Sequence, residues 1–132
     1  MKLYGIGTDI IKIDRIKKSL RNKTFLSRLF SKDEISRCSK LINCNNCYAK
    51  RFAAKEAFSK ALGTGISSGI KFNEIIVLNK KSGKPFINLV GATKQILKKK
   101  FKGKKSKISL SLSDEKKYAV AFVAISLWNL KN

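Results

Sequence analysis

The middle of the chain, residues 51–65, has the sequence Arg51-Phe52-Ala53-Ala54-Lys55-Glu56-Ala57-Phe58-Ser59-Lys60-Ala61-Leu62-Gly63-Thr64-Gly65. Strong helix formers fill most of it, and Gly63 suits a left-handed C-terminal cap. At 100° per residue, Glu56 and Lys60 share one narrow stripe, and a second, apolar stripe would face a core. We therefore predict a helix with room beside Glu56 for a bulky group. The alternative is an ordinary exposed Glu–Lys pair, which stabilises a helix by ~0.3 kcal/mol.

A second notable carboxylate lies near the start of the chain. Residues 3–10 alternate like a short strand, and Asp9 falls at the predicted junction with a helix, where it could act as an N-cap. The chain has only 8 Asp and Glu against 30 Lys and Arg, so an acid kept in an apolar strand suggests a functional role. Mg²⁺ takes one or two carboxylates and completes its shell with waters and substrate phosphates. Asp9 and Glu56 would supply that pair if the fold brings them together.

These motifs resemble those of the holo-acyl-carrier-protein synthase family, the small bacterial type of 4′-phosphopantetheinyl transferase. The similar segments are Gly5-Ile6-Gly7-Thr8-Asp9-Ile10 with Arg15, the stretch 51–65, Gly83-Lys84-Pro85, and Ser109 to Asp114 before Tyr118-Ala119. They cover nearly the whole chain in order and at the spacing of the family. The resemblance implies a single α+β domain over residues 1–132, with a mainly antiparallel sheet packed against helices.

The resemblance also implies an activity. The enzyme would transfer 4′-phosphopantetheine from coenzyme A to a serine of apo-acyl carrier protein, release 3′,5′-ADP, and serve fatty-acid biosynthesis. Asp9 and Glu56 would hold Mg²⁺, with Mn²⁺ as an alternative, and Lys60 would balance charge on the leaving phosphate. Positioning and electrostatics dominate such phosphoryl transfers. The sequence leaves open whether Glu56 or a water accepts the serine proton.

Two sets of contact residues follow from the resemblance. The coenzyme A set is Arg51, Ser59, Lys60, Gly63, Thr64, Lys84, Pro85 and Ser113, with Asp114 as a turn residue near the coenzyme. The carrier-protein set is Arg15, Arg21, Phe25, Arg28 and Phe52. The family forms homotrimers with active sites at subunit boundaries, and residues 118–127, apolar on both faces, agree with such an assembly.

Composition limits the other possibilities. Histidine is absent, which excludes Ser-His-Asp and Cys-His catalysis. The net charge of +22 fits phosphate-rich ligands or acidic proteins, and a small nucleic-acid-binding protein is the main rival. No zinc-finger or RNA-recognition signature is present, and the aromatic residues follow apolar periodicity rather than forming a stacking row. We therefore expect no nucleic-acid partner.

The expected location is the cytoplasm. The longest apolar run, residues 118–125, is far shorter than the roughly 20 residues of a membrane span, and Asp9 interrupts any signal-peptide core. The three cysteines are predicted to be reduced thiols. Cys44 and Cys47 have zinc-site spacing, but the chain lacks the remaining ligands.

Several further elements are predicted from local patterns. They are helices over 10–20 and 92–101, a helix starting with a capping box at Ser31–Glu34, and strands over 72–78, 86–89, 108–113 and 118–127.

Overall fold

The computed structural model describes residues 1–63 and 69–130. Its strands are β1 (Lys2–Lys12), β2 (Ile75–Asn79), β3 (Pro85–Leu89), β4 (Lys105–Asp114) and β5 (Tyr118–Trp128). Its helices are α1 (Ile13–Ser19), α2 (Lys23–Leu29), α3 (Lys32–Ser39), α4 (Cys44–Leu62) and α5 (Gly91–Lys100), with a 3-10 turn at Phe72–Glu74. None of the helices in these ranges is long and apolar enough to cross a membrane.

The strands form two antiparallel sheets. One has the order β1-β5-β4 and the other is the hairpin β2-β3. Helix α4 packs across the inner face of the larger sheet, where alternate residues of β5 are fully buried: Ala119, Ala121, Val123 and Ile125. The predicted α+β class with a mainly antiparallel sheet is confirmed.

Two glycines allow α4 to lie directly on β1. A Cβ added at Gly5 would collide with the carbonyl oxygen of Ala61, and one at Gly7 would collide with that of Ala57. Ala57 and Ala61 therefore lie on the side of α4 that packs against the backbone of β1, as expected of the apolar stripe of this helix. Because residues 5, 7 and 9 point to the same side of a strand, the contact also aims Asp9 toward the helix.

The first helix begins later than its sequence pattern predicts. Ile10 and Ile11 continue β1 and pair with Val120 and Ala119, so α1 covers Ile13–Ser19 rather than 10–20. Asp9 therefore lies within the strand and does not cap the helix, and the position of Lys12 is the N-cap. Pairing with a long neighbouring strand has overridden the helical spacing of the isoleucines.

The predicted strand over 72–78 starts at Ile75, because the preceding residues serve a buried ion pair. Lys55 and Glu34 are fully buried, and the ammonium of Lys55 lies 2.8 Å from a carboxylate oxygen of Glu34. Lys55 also donates to the carbonyls of Phe72 and Ile75, both at 2.7 Å. Burial lowers the pKa of Lys55 to about 8, although the charge of Glu34 opposes the shift.

Glu34 connects α3, to which it belongs, with α4 and β2. Its carboxylate accepts from the backbone N–H of Ser31 at 2.9 Å, which completes the predicted capping box of α3, and from that of Val77 at 3.1 Å. Through Lys55 and Glu34, helix α4 is bonded to both α3 and β2 on the side away from the larger sheet.

The cysteine prediction is wrong for two residues. Cys38 and Cys47 form a disulfide between α3 and α4, where their Cα atoms lie 5.5 Å apart, and Cys44 keeps a free thiol. Compartment and cysteine spacing, from which free thiols are expected, do not reveal that these two helices cross at the cysteines.

Candidate active site

The predicted catalytic residues Asp9, Glu56 and Lys60 meet at the edge of the contact between β1 and α4. The ammonium of Lys60 lies 3.3 Å from the Asp9 carboxylate and donates to the carbonyl of Thr8 at 2.9 Å. Glu56 and Lys60 are one turn apart, so both border the strand that carries Asp9. Asp9 is largely covered and Lys60 is exposed, which leaves the group open to solvent on one side.

The carboxyl group of Glu56 lies in the field of two neighbouring charges, Asp9 and Lys60. Burial raises the pKa of Glu56, the charge of Asp9 raises it further, and the Lys60 ammonium acts in the opposite direction. Asp9 and Glu56 share the single cation Lys60, which bonds to Asp9 and to the carbonyl of Thr8, so it offsets only part of their negative charge. That donor set suits a hard divalent cation such as Mg²⁺, which needs only one or two carboxylates from the protein.

This arrangement predicts a specific pH dependence of stability without metal. Because the pKa of Glu56 is higher in the folded than in the unfolded state, the folded state binds more protons between the two values. In EDTA, we expect the melting temperature to fall as the pH rises through that interval. Glu56→Gln should remove this part of the fall, and Lys60→Met should extend the interval to higher pH. Thermal unfolding at a series of pH values measures it; identical profiles for the wild type and Glu56→Gln would contradict it.

A largely apolar cavity of about 610 Å³ lies beside Glu56. Three predicted carrier-protein contacts line it, namely Phe25, Arg28 and Phe52. Phe52 packs edge-on against Phe72, with ring centroids 6.1 Å apart. The structure therefore joins one part of the predicted carrier surface to the predicted metal site, in a cavity large enough for a small ligand.

Arg51 lies on another side of α4. It is buried, and one guanidinium nitrogen donates to Asn79 at 2.7 Å while the other contacts the sulfur of Cys47 at 3.2 Å. Its Nε has no hydrogen-bond partner among the described residues, and burial lowers the pKa of the guanidinium. Arg51 and Pro85 line a cavity of about 240 Å³. Five residues rotate a helix by ~140°, so Arg51 and Glu56 of one chain point to different places.

The other predicted contacts are dispersed. Ser59 is buried within α4, and Gly63 ends this helix with a φ of 80°, as predicted. Lys84 is exposed beside Pro85. Thr64 lies outside the described residues. Ser113 lies on the outer face of the sheet in register with Val120, opposite to the face that carries Asp9.

The residues predicted to contact the carrier protein also lie in separate places. Arg15 and Arg21 are exposed in α1 and just after it, outside the cavity that Phe25, Arg28 and Phe52 share with Glu56. Asp114, expected in a turn, is the last residue of β4, where it pairs with Lys50 at 3.4 Å and accepts from Asn46 at 2.8 Å.

Sequence reasoning missed several residues that line these cavities. Arg37 and Lys50 stand beside Arg51, and Lys71 and Asn73 stand beside Glu56. The capping box at Ser31–Glu34 predicted where α3 begins, but no local pattern relates this helix to Arg51. Lys71 and Asn73 follow the undescribed segment 64–68, and no motif marks them.

The class of this protein follows from its family. Residues 5–123 match the 4′-phosphopantetheinyl transferase superfamily, and the chain belongs to this family. The predicted family resemblance and the predicted enzyme class, a transferase, are thereby confirmed.

The relatives specify the type of transferase. The chain is 50% identical over 125 residues to the holo-[acyl-carrier-protein] synthase of Pelagibacter ubique, covering 95% of this chain and 98% of the relative. Among solved structures, that of the Neisseria meningitidis holo-[acyl-carrier-protein] synthase is similar with a TM-score of 0.82 and 36% identity, covering 94% and 98% of the two chains. The Bacillus anthracis enzyme in complex with CoA (3′,5′-ADP) has a TM-score of 0.77 and 35% identity, covering 95% and 97%.

Proposed function

We propose that this chain, as one domain over residues 1–132, transfers 4′-phosphopantetheine from coenzyme A to a serine of apo-acyl carrier protein for fatty-acid biosynthesis in the cytoplasm. The observation that carries this proposal is the meeting of Asp9, Glu56 and Lys60 at the β1–α4 contact. Relatives that share nearly the whole chain are holo-[acyl-carrier-protein] synthases, and several related structures are complexes with coenzyme A.

Asp9 and Glu56 would hold Mg²⁺, or Mn²⁺ in its place. When bound, such an ion offsets the charge of the coenzyme diphosphate and fixes its geometry. Lys60 bonds to Asp9 and Thr8 and extends to solvent, so its ammonium is available to balance charge on the departing 3′,5′-ADP. Glu56, whose pKa is raised by burial, is a candidate to accept the serine proton.

We assign the coenzyme phosphates to the cavity at Arg51. This buried arginine has one unpartnered N–H, and Arg37 and Lys50 line the same cavity. Arginine and lysine together favour a phosphate in such a place. Since Arg51 and Glu56 point in different directions from α4, a complete site would combine the Glu56 side of one subunit with the Arg51 side of another.

The outer face of the larger sheet supports a homotrimer. Ile6, Ile10 and Phe122 are exposed by 57%, 64% and 45%, and Val120 lies in the same row as Ile10. An apolar face of this kind marks a protein contact. Ser113 shares this face, so it would lie at or near the same subunit contact.

The assembly is tested by charging its contact surface. We expect Phe122→Glu to convert a trimer to a monomer, because burying a carboxylate in an apolar contact is costly. Light scattering coupled to gel filtration measures the mass, with Lys99→Glu on α5 as a control for a glutamate elsewhere. A wild-type protein that is monomeric at micromolar concentration would refute the homotrimer.

Docking of the carrier protein is tested by reversing a charge on α1. Arg15 is exposed and is not part of the metal or phosphate groups. We expect Arg15→Glu to raise the KM for carrier protein by about tenfold, because like charges across an interface cost at least ~1.4 kcal/mol, and to leave the KM for coenzyme A unchanged. Lys99→Glu, with the same change of charge, should leave both unchanged. Equal increases in both KM values for Arg15→Glu would argue against docking at α1.

The activity itself is measured by intact-mass spectrometry. Apo-acyl carrier protein incubated with this protein, Mg²⁺ and coenzyme A should gain the mass of phosphopantetheine, and EDTA should prevent the gain. If the folded protein modifies none of several carrier proteins, the proposed function is wrong.

A further inference from the structure

A groove separate from the candidate active site lies between β3, α5 and the start of β4. Its volume is about 560 Å³, within the range of small-molecule sites. The floor is apolar and consists of Ile87, Leu89, Leu97, Phe101 and Ile108. None of the residues that line this groove belongs to the cavities at Glu56 or Arg51.

All the charged residues that line this groove are lysines, and they form its rim: Lys94, Lys98, Lys104 and Lys105. Lys94 and Lys98 are one turn apart on α5. The left-handed backbone of Lys102 and Gly103, with φ of 52° and 76°, turns the chain so that Lys104 and Lys105 line the groove as well. Within residues 1–63 and 69–130, none of the four rim lysines forms an ion pair.

The surrounding sequence reinforces this charge. No aspartate or glutamate occurs between Glu74 and Asp114, although the same segment contains eleven lysines. Like charges one turn apart on a helix destabilise it by about 0.2–0.5 kcal/mol. Four unpaired lysines around one apolar surface therefore leave a site where an anion would be stabilised, and they attract anions from a distance.

The floor decides which class of anion fits. Single-stranded nucleic acid binds a basic groove by stacking its bases on exposed aromatic rings, but Phe101 is only 4% exposed and packs edge-on against Tyr4 at 5.2 Å. Inorganic phosphate would use the lysines and leave the partly exposed floor residues Ile87, Leu89 and Ile108 in water. An anion with a long hydrocarbon chain satisfies both, since it removes apolar surface from water while its head group meets the ammonium groups.

We propose that this groove binds a fatty acid, with the hydrocarbon chain along the floor and the carboxylate between the rim lysines. The proposal does not depend on the transferase function, because no residue of the candidate active site takes part.

Isothermal titration calorimetry with laurate, below the concentration at which it forms micelles, tests the proposal. We expect saturable binding at about one laurate per chain to the wild type. Lys94→Glu with Lys98→Glu should weaken it at least about tenfold, because two cationic partners become repulsive. Lys99→Glu with Lys100→Glu is the matched control: it makes the same change of charge on the same helix, at residues that do not line the groove, and should alter the affinity less than about twofold.

Two further ligands distinguish the contribution of the hydrocarbon chain from that of the carboxylate charge. Dodecyltrimethylammonium, which has the same chain length and the opposite charge, should not bind, and acetate, which has the carboxylate without the chain, should not bind either. Equal weakening in both double variants would show attraction to overall charge and would overturn the proposal, as would failure of laurate to bind at millimolar concentration. Circular dichroism of each variant, with wild-type spectra expected, ensures that lost binding is not lost folding.

Discussion

Asp9→Asn and Glu56→Gln should each reduce phosphopantetheine transfer by at least about 10³-fold while leaving the fold intact. Each substitution keeps the size of the side chain and removes one of the two charges that would hold the metal ion. Loss of a single preorganised electrostatic group at a reacting centre costs about 10²–10³ in rate, and loss of a metal ligand affects every contact that the ion would make. Rates of carrier-protein modification at saturating coenzyme A measure this effect.

A second readout distinguishes the metal role from a structural one. The wild type should gain thermal stability when Mg²⁺ is added, because a ligand that binds only the folded state stabilises it. Neither variant should gain, and Glu56→Gln should be more stable than the wild type in EDTA, since it removes a carboxylate repelled by Asp9. Glu115→Gln, an exposed change of the same type, should behave like the wild type. A folded double variant with normal turnover would exclude the metal site.

Breaking the buried Lys55–Glu34 pair should cause the largest loss of stability. We expect Lys55→Met or Glu34→Gln to lower the free energy of unfolding by about 3–5 kcal/mol, because each leaves a buried group without its partner. Such a loss is a large fraction of the ~5–15 kcal/mol that holds a typical domain together. Urea unfolding at neutral pH measures it.

The exposed pair Lys50–Asp114 provides a matched control for this prediction. Its side chains are about one quarter exposed, so Lys50→Met should cost less than about 1 kcal/mol. The combination of Lys55→Met with Glu34→Leu should cost less than the sum of the single changes, because it removes both charges together. Additive losses, or a loss for Lys55→Met no larger than that for Lys50→Met, would show that the buried pair is not coupled.

The sequence by itself predicted those features that depend only on residues close to one another along the chain. The stop of α4 at Gly63 and the capping box of α3 were predictable because the residues involved are within one turn of each other. The family was predictable because its motifs occur as short strings. The roles of the site residues stay predictions, although the structure brings Asp9, Glu56 and Lys60 together.

Long-range packing determined which elements contact each other, which the short sequence motifs do not specify. Asp9 reaches Lys60 because Gly5 and Gly7 let the backbone of β1 lie on α4, a contact between segments about 50 residues apart. The same strand continues to Lys12 because β5 pairs with it along its length, which no property of residues 10–12 reveals. The contact of Arg51 with Asn79, and the bond between Cys38 and Cys47, likewise follow from which elements cross and where. Spacing along a chain defines the face of a helix or strand, whereas the partner of that face depends on burial of the whole core.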